Sequence, residues 1–316
     1  MKRLLAGTIA ALALTAGLAT PALAHRQWML PSATTFSGSD VWVTVDAAVS
    51  NDLFYFEHQP LRVQNLTATA PDGSEVKIEN QATLRYRTVF DVHLTQPGTY
   101  RIGSANEMVM GSYDLNGKTE RLPRGTTKDT LAQAIPAGAT NVQTSESSSR
   151  NEIFVTLGEP TTTVFKPTGK GIELVPVTHP NDLVSGEAAT FQFLLDGKPA
   201  AGLGVTVIPG GIRYRDQLNQ IDLKTGADGK VSVTWPTPGM YWVNVTTPGG
   251  RGEGPGGPGG QGGPGGQGGP GGPGGPGGPG GMGQAAGTPP PAPPAAPAGP
   301  PPRRASYVTV LEVLAP

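Results

Sequence analysis

From Val41 onward, β-branched and aromatic residues recur at every second position in short runs. VWVTVDAAV, LTATAPDGSEVKI, TVFDVHLTQPGTYRIG and NEIFVTLG each meet a turn signal such as Pro-Asp-Gly or Gln-Pro-Gly. A period of two suits strands that bury one face, so this pattern commits the chain to sheets before any other feature is weighed. Within Thr88 to Leu94, for example, Phe90, Val92 and Leu94 share one face opposite Asp91 and His93. The interval from Ser104 to Ser149 interrupts the rhythm: TKDTLAQAI predicts a short helix capped by Thr127, and TSESSSR predicts a loop. A second β-rich block opens at Gly171 with GIELVPV, AATFQFLLDGKP, GLGVTVIPGG, QIDLKTGADGKVSVTW and GMYWVNVTT. In it Asp196-Gly197 and Asp228-Gly229 predict hairpins, because such residues readily supply positive φ. The expected fold is all-β: two tandem immunoglobulin-like or transthyretin-like β-sandwich domains, over residues 25–165 and 170–316.

Between Pro248 and Pro302 the composition changes to Gly-Gly-Pro and Gly-Gly-Gln triplets followed by a Pro/Ala tract. With almost no apolar side chains to bury, this stretch cannot offset the entropy of ordering and is expected to be a disordered, flexible insertion. Its three-residue period raises the alternative of a collagen-like triple helix. A second Gly in each triplet, however, removes the ring constraint that preorganises each strand. Beyond the tract the alternation returns in ASYVTVLEVLAP, and Tyr307 to Leu314 is expected to pair with Met240 to Thr246. The tract is then a long excursion between neighbouring strands, which a sheet tolerates because loop-closure cost grows only logarithmically with length.

The first 24 residues read as a removable secretory signal: Lys2 and Arg3, an apolar run from Leu4 to Ala19, and the small-residue pattern Ala22-Leu23-Ala24. The expected location is therefore the periplasm, with no membrane span in the mature chain. Loss of Lys2 and Arg3 leaves 21 basic against 24 acidic residues, a net charge of −3, which does not favour nucleic acid or an anionic membrane surface. The absence of cysteine excludes thiolate metal sites, cysteine nucleophiles and disulfides.

Three stretches, WVTVDAAVSNDLFYFEHQPLR, GIELVPVTHPNDLVSGEAATFQFLLDGKPAAGLGVTV and DGKVSVTWPTPGMYW, resemble the bacterial family called domain of unknown function 4198. Its members are described as similar to the periplasmic component of a cobalt or nickel uptake system. The resemblance covers nearly all of the mature chain outside the Gly/Pro insertion. It implies a periplasmic β-rich protein with a divalent transition metal, nickel or cobalt, as cargo and an inner-membrane metal transporter as partner. It carries over no catalytic residue. The positions it offers as metal ligands are His25, His58 and His179 of the THPND string, whereas His93 looks peculiar to this chain.

Read as residues, the four histidines are the only imidazoles available to a borderline transition metal. Cleavage after Ala24 would give His25 a free amine beside its ring, a chelating pair. A second imidazole would complete a three-nitrogen brace suited to Cu(II) or Ni(II). His58, in the aromatic-rich loop NDLFYFEHQP, is the first choice for it, with Glu57 and Asp52 near in sequence as oxygen donors or acceptors. Against this, a signal peptidase has to cut before some residue, and loop histidines commonly do no more than hydrogen-bond at the surface. His179 precedes Pro180, so HPND also reads as a turn opening the second block, and His93 alternates toward solvent. Met29, Met108 and Met110 are possible thioether ligands, the last two on one strand face, although packing is the commoner use of methionine. Asp46, Asn51 and Asp52 suit turn formation at least as well as a hard cation.

The chain carries no Gly-x-Ser-x-Gly elbow, His-Glu-x-x-His helix, phosphate loop or dinucleotide fingerprint, so the expectation is a binding protein and not an enzyme. Two other classes stand beside metal handling. One is a structural or adhesive envelope protein using the Gly/Pro tract as a tether, and the other is a copper-dependent oxidative enzyme built on the terminal histidine.

Overall fold

The computed structural model describes residues 25–63, 65–248 and 303–316. The expected signal segment, and all of the expected disordered insertion but Pro248, lie outside the described residues. Strands of four residues or more are numbered here in chain order: β1 (Arg26–Pro31), β2 (Val41–Ser50), β3 (Leu66–Thr69), β4 (Ile78–Thr83), β5 (Thr88–Leu94), β6 (Gly98–Leu115), β7 (Lys118–Arg121) and β8 (Thr140–Leu157). The second block supplies β9 (Ile172–Pro176), β10 (Ala188–Leu195), β11 (Gly204–Pro209), β12 (Ile221–Lys224), β13 (Lys230–Thr234), β14 (Gly239–Thr246) and β15 (Arg304–Val313).

These strands stack in three layers. A five-stranded outer sheet has the order β1-β2-β5-β4, and a four-stranded outer sheet is centred on β10, flanked by β9 and β13. Between them runs a ten-stranded sheet whose main path is β12-β11-β14-β15-β8-β6-β3, with β7 added beside β6. Both faces of this middle sheet are covered, and the period of two sorts its residues between two cores. In β14, Trp242 enters the first core while Tyr241, Val243 and Val245 enter the second. In β15, Val308 and Val310 go one way and Tyr307, Leu311 and Val313 the other. Strands buried on both sides read as nearly continuous apolar runs, which is why VTVLEVL lacks a polar face.

The two β-sandwiches expected from the sequence are present, but they share their central sheet. Strand β8 belongs to the first block and pairs in parallel with β15 from the end of the chain, Ser147 opposite Arg304 through Glu152 opposite Thr309. The chain therefore crosses the expected boundary at residues 165–170 more than once.

The expected pairing of the chain's last strand is present: β14 and β15 are antiparallel, from Gly239 opposite Val313 to Thr246 opposite Ser306. The ends flanking residues 249–302 are held together, since Thr247 donates its N–H to the Ala305 carbonyl at 3.1 Å and Arg303 pairs with Asp196. Replacing residues 249–302 with a tight four-residue turn is thus expected to preserve the fold. Shortening the connection by nearly four doublings of length should raise stability by about 2 kcal/mol, read as an upward shift in the urea midpoint.

The interval from Ser104 to Ser149 corrects the sequence-based expectation. TSESSSR is strand, not loop: β6 and β8 are each 18 residues long and pair along most of their length as a projecting hairpin. Its serine-rich outer half has no apolar face to signal a strand, and the ladder to β6 overrides local preference. The helix in TKDTLAQAI is only Leu131–Ala134, with Thr130 and not Thr127 at its N-cap position. Asp196-Gly197 forms the expected hairpin, with φ of 53° and 77°. Asp228-Gly229 instead joins β12 of the middle sheet to β13 of an outer sheet, so it turns the chain between layers.

One internal repeat passes unnoticed in the strand pattern. QPGTY (96–100) and TPGMY (237–241) each place a glycine at positive φ, 126° for Gly98 and 136° for Gly239, at the start of a long strand. Each tyrosine hydroxyl then folds back onto the backbone four residues earlier. Tyr100 Oη donates to Gln96 O at 2.9 Å and accepts from Gln96 N, and Tyr241 Oη does the same at Thr237. This is the tyrosine corner of immunoglobulin-like sandwiches, present once in each half.

Candidate metal-binding site

Strand β1 begins at Arg26, directly after His25, and runs antiparallel to β2 with Arg26 opposite Ser50. That register sets His25 beside the loop that follows Ser50 and carries His58. The two imidazole rings stack with their centroids 3.8 Å apart and their planes 12° from parallel. Both residues are exposed. The structure thus brings His25 and His58 together.

The loop from Asn51 to Pro60 is held from several sides. Glu57 turns its carboxylate back on the loop, where one oxygen accepts the Asn51 and Asp52 N–H groups at 2.8 and 2.9 Å. Ser50 Oγ accepts from Trp28 Nε1 at 2.8 Å and donates to Asp52 O at 2.6 Å. Arg26, with 1% of its surface exposed, donates to Asn51 O at 2.8 Å, tying β1 to the loop's start. Phe54, at φ 64°, packs edge-on against Trp28, and Gly210 leaves room for its ring: a Cβ there would lie 2.9 Å from it. The Arg87 and Arg213 guanidiniums sit 4.4 and 3.8 Å over the Phe56 and Tyr55 rings. Two distant segments, the β4–β5 turn and the 210–216 loop, thereby fix the aromatic loop from outside. The Glu57 carboxylate accordingly serves the loop's own backbone, Asp52 takes part through its main-chain N–H and carbonyl, and among the described residues no group of three or more His, Asp and Glu side chains gathers to hold an ion.

His179 stands apart from that pair. Its Nδ1 accepts the Asn181 N–H at 3.1 Å, so Nε2 carries the proton and faces Thr161 O at 3.2 Å and Thr99 Oγ1 at 3.1 Å. Phe165 meets the ring edge to face at 5.5 Å. With both nitrogens engaged, the ring joins β6, the 161–165 segment and the turn opening the second block. Burial lowers its pKa from 6.5, opposed by the Thr161 carbonyl and Asp182. Because the unfolded chain takes up a proton more readily, the neutral ring's contribution is complete above about pH 6.5 and is lost as pH falls toward the lowered folded value. His179→Gln should flatten the fall in urea midpoint between pH 7.5 and 5.5. An unchanged slope would place that sensitivity elsewhere.

His93 lies at the half-exposed surface of β5. It is stacked on Trp42 with centroids 4.3 Å apart and bonded through Nε2 to Asp40 at 2.8 Å. Met29 is fully buried in the first core, whereas Met108 and Met110 are exposed on the projecting hairpin.

The family model described as "Domain of unknown function (DUF4198)" matches residues 22–249. The chain belongs to this family. No curated protein matches this DUF4198 chain. Among solved structures it is similar to the D0-D1 domain of intimin, at 12% identity over 69% of this chain and 88% of that one, with a TM-score of 0.18. A DUF4785 family protein from Legionella pneumophila is similar at 6% identity, covering 69% and 50% of the two chains with a TM-score of 0.20. The human OSCAR ligand-binding domain is similar at 13% identity, over 71% and 91%, with a TM-score of 0.17.

Proposed function

We propose that this DUF4198 protein is an exported, periplasmic transition-metal-binding protein that handles nickel or cobalt and passes the ion to or from a membrane transporter. The observation that carries the reading is the contact between the His25 and His58 rings, 3.8 Å apart at the residue where the signal pattern predicts the mature chain to begin. Two imidazoles alone make a weak site. The amine released by cleavage after Ala24 would raise the set to three nitrogens, a donor set that suits Ni(II) and, by the usual affinity order, holds Cu(II) most tightly. Parallel rings cannot both aim an in-plane lone pair at one ion, so binding requires one imidazole to swing out of the stack. Both side chains are exposed, so this movement disturbs little packing. Protons compete for the same lone pairs, and affinity should fall with pH.

Elemental analysis of untagged protein purified from the periplasm, paired with the mass of its N-terminus, tests the reading. A chain starting at His25 with near-stoichiometric nickel or cobalt supports it, and copper in their place redirects it to copper handling. A correctly processed chain that retains no metal and binds none on titration favours the structural or envelope-tethering class.

A further inference from the structure

We propose that the projecting hairpin carries a second, unrelated site: a groove that binds a single-chain amphiphile with an anionic head group. The groove, about 500 Å³, is lined by Met108, Met110, Leu122, Pro123, Arg121 and Arg124, and among the described residues no carboxylate belongs to its lining. Met108 and Met110 lie two apart in β6, opposite Ser147 and Ser145 of β8, and therefore share a face. They are 41% and 47% exposed, while Val109 between them is buried in a small core with Tyr113 and Leu122. Flexible thioethers on an open surface adapt to an alkyl chain at little cost.

Charge selects the head group. The nearby acids are engaged elsewhere: Glu146 with Lys128 and Arg303, Glu107 with Lys170, and Asp114 with Asn141 and Thr119. Glu120 precedes Arg121 in β7 and so points to the opposite face. Two guanidiniums beside an apolar floor with no acid among them fit a carboxylate, sulfate or phosphate head. An added peptide strand fits less well, because the β6 edge at the groove is already paired. Val109 donates its N–H to Thr126 O at 2.6 Å, and Gly111 O accepts from Leu122 N at 3.0 Å, while β8 takes the other edge.

The test uses the chain from His25 to Pro316 labelled with ε-¹³C methionine, whose five methionines give few methyl signals to assign. Dodecanoate, dodecyl maltoside and dodecyltrimethylammonium are titrated separately below their micelle concentrations. The expected result is saturable one-to-one shifting of the Met108 and Met110 methyl signals by dodecanoate, with the neutral and cationic amphiphiles at least tenfold weaker. The exposed double variant R121E/R124E should weaken dodecanoate at least tenfold while leaving the far-ultraviolet circular dichroism unchanged, and M108S/M110S should weaken all three. Equal binding of the three head groups, shifts confined to other methionines, or no saturation would each overturn the proposal.

Discussion

Trp242→Ala is expected to destabilise the whole protein by about 3–5 kcal/mol, a large part of the 5–15 kcal/mol typical of folded chains. The indole is fully buried in the first core although it is borne by β14, a strand of the second half. Its Nε1 donates to Gln27 O at 2.9 Å across 215 positions, and the Arg26 guanidinium lies 5.9 Å from its ring centroid. Truncation would leave a cavity in the first core, orphan a backbone acceptor of β1 and loosen the strand that presents His25. The control is Trp42→Ala: that indole is 40% exposed, and its loss should cost no more than about 1 kcal/mol. Urea midpoints of the two variants compare them directly. Equal midpoints would mean that the two halves are energetically separate despite the shared sheet. A further consequence is cooperativity, since a sheet buried on both faces should make the two sandwiches unfold in one transition.

Strand identity was legible wherever the period of two met a buried face, as in Thr88–Leu94, whose residues alternate between buried and half-buried. It was not legible in Thr144 to Arg150, where serines and a glutamate occupy a strand stabilised by its ladder. The pairing of the last strand could be read because its alternation resumes directly after the Gly/Pro tract that follows the strand it joins. The sharing of one sheet by both halves could not, because the parallel pairing joins the polar SSSRNE of β8 to RASYVT of β15 and leaves no mark on either sequence. At the site, the signal-cleavage pattern and the aromatic loop marked His25 and His58, but their meeting depends on the β1–β2 register, which no local motif encodes. His179 shows the converse. Its family string suggested a ligand, whereas bonds to Asn181, Thr161 and Thr99, all set by tertiary packing, give the ring a joining role.

The second large effect concerns the amino end. In the proposed site, His25 contributes two of three donors only when it is the first residue with a free amine, so acetylating that amine leaves two imidazoles. Losing a partner in the outer shell of a metal site already costs 10–100-fold in affinity, so losing a direct donor should cost at least about 100-fold. His58→Ala should do the same by removing the second ring from the stack. Neither change touches the core, because both histidines are exposed, and thermal unfolding of the metal-free proteins should be unaltered. The decisive measurement is calorimetric titration of Ni(II), Co(II) and Cu(II) into two matched proteins, one starting at His25 with a free amine and one with that amine acetylated. The account predicts one tight equivalent for the first and at least a hundredfold weaker binding for the second, whereas identical isotherms would contradict it.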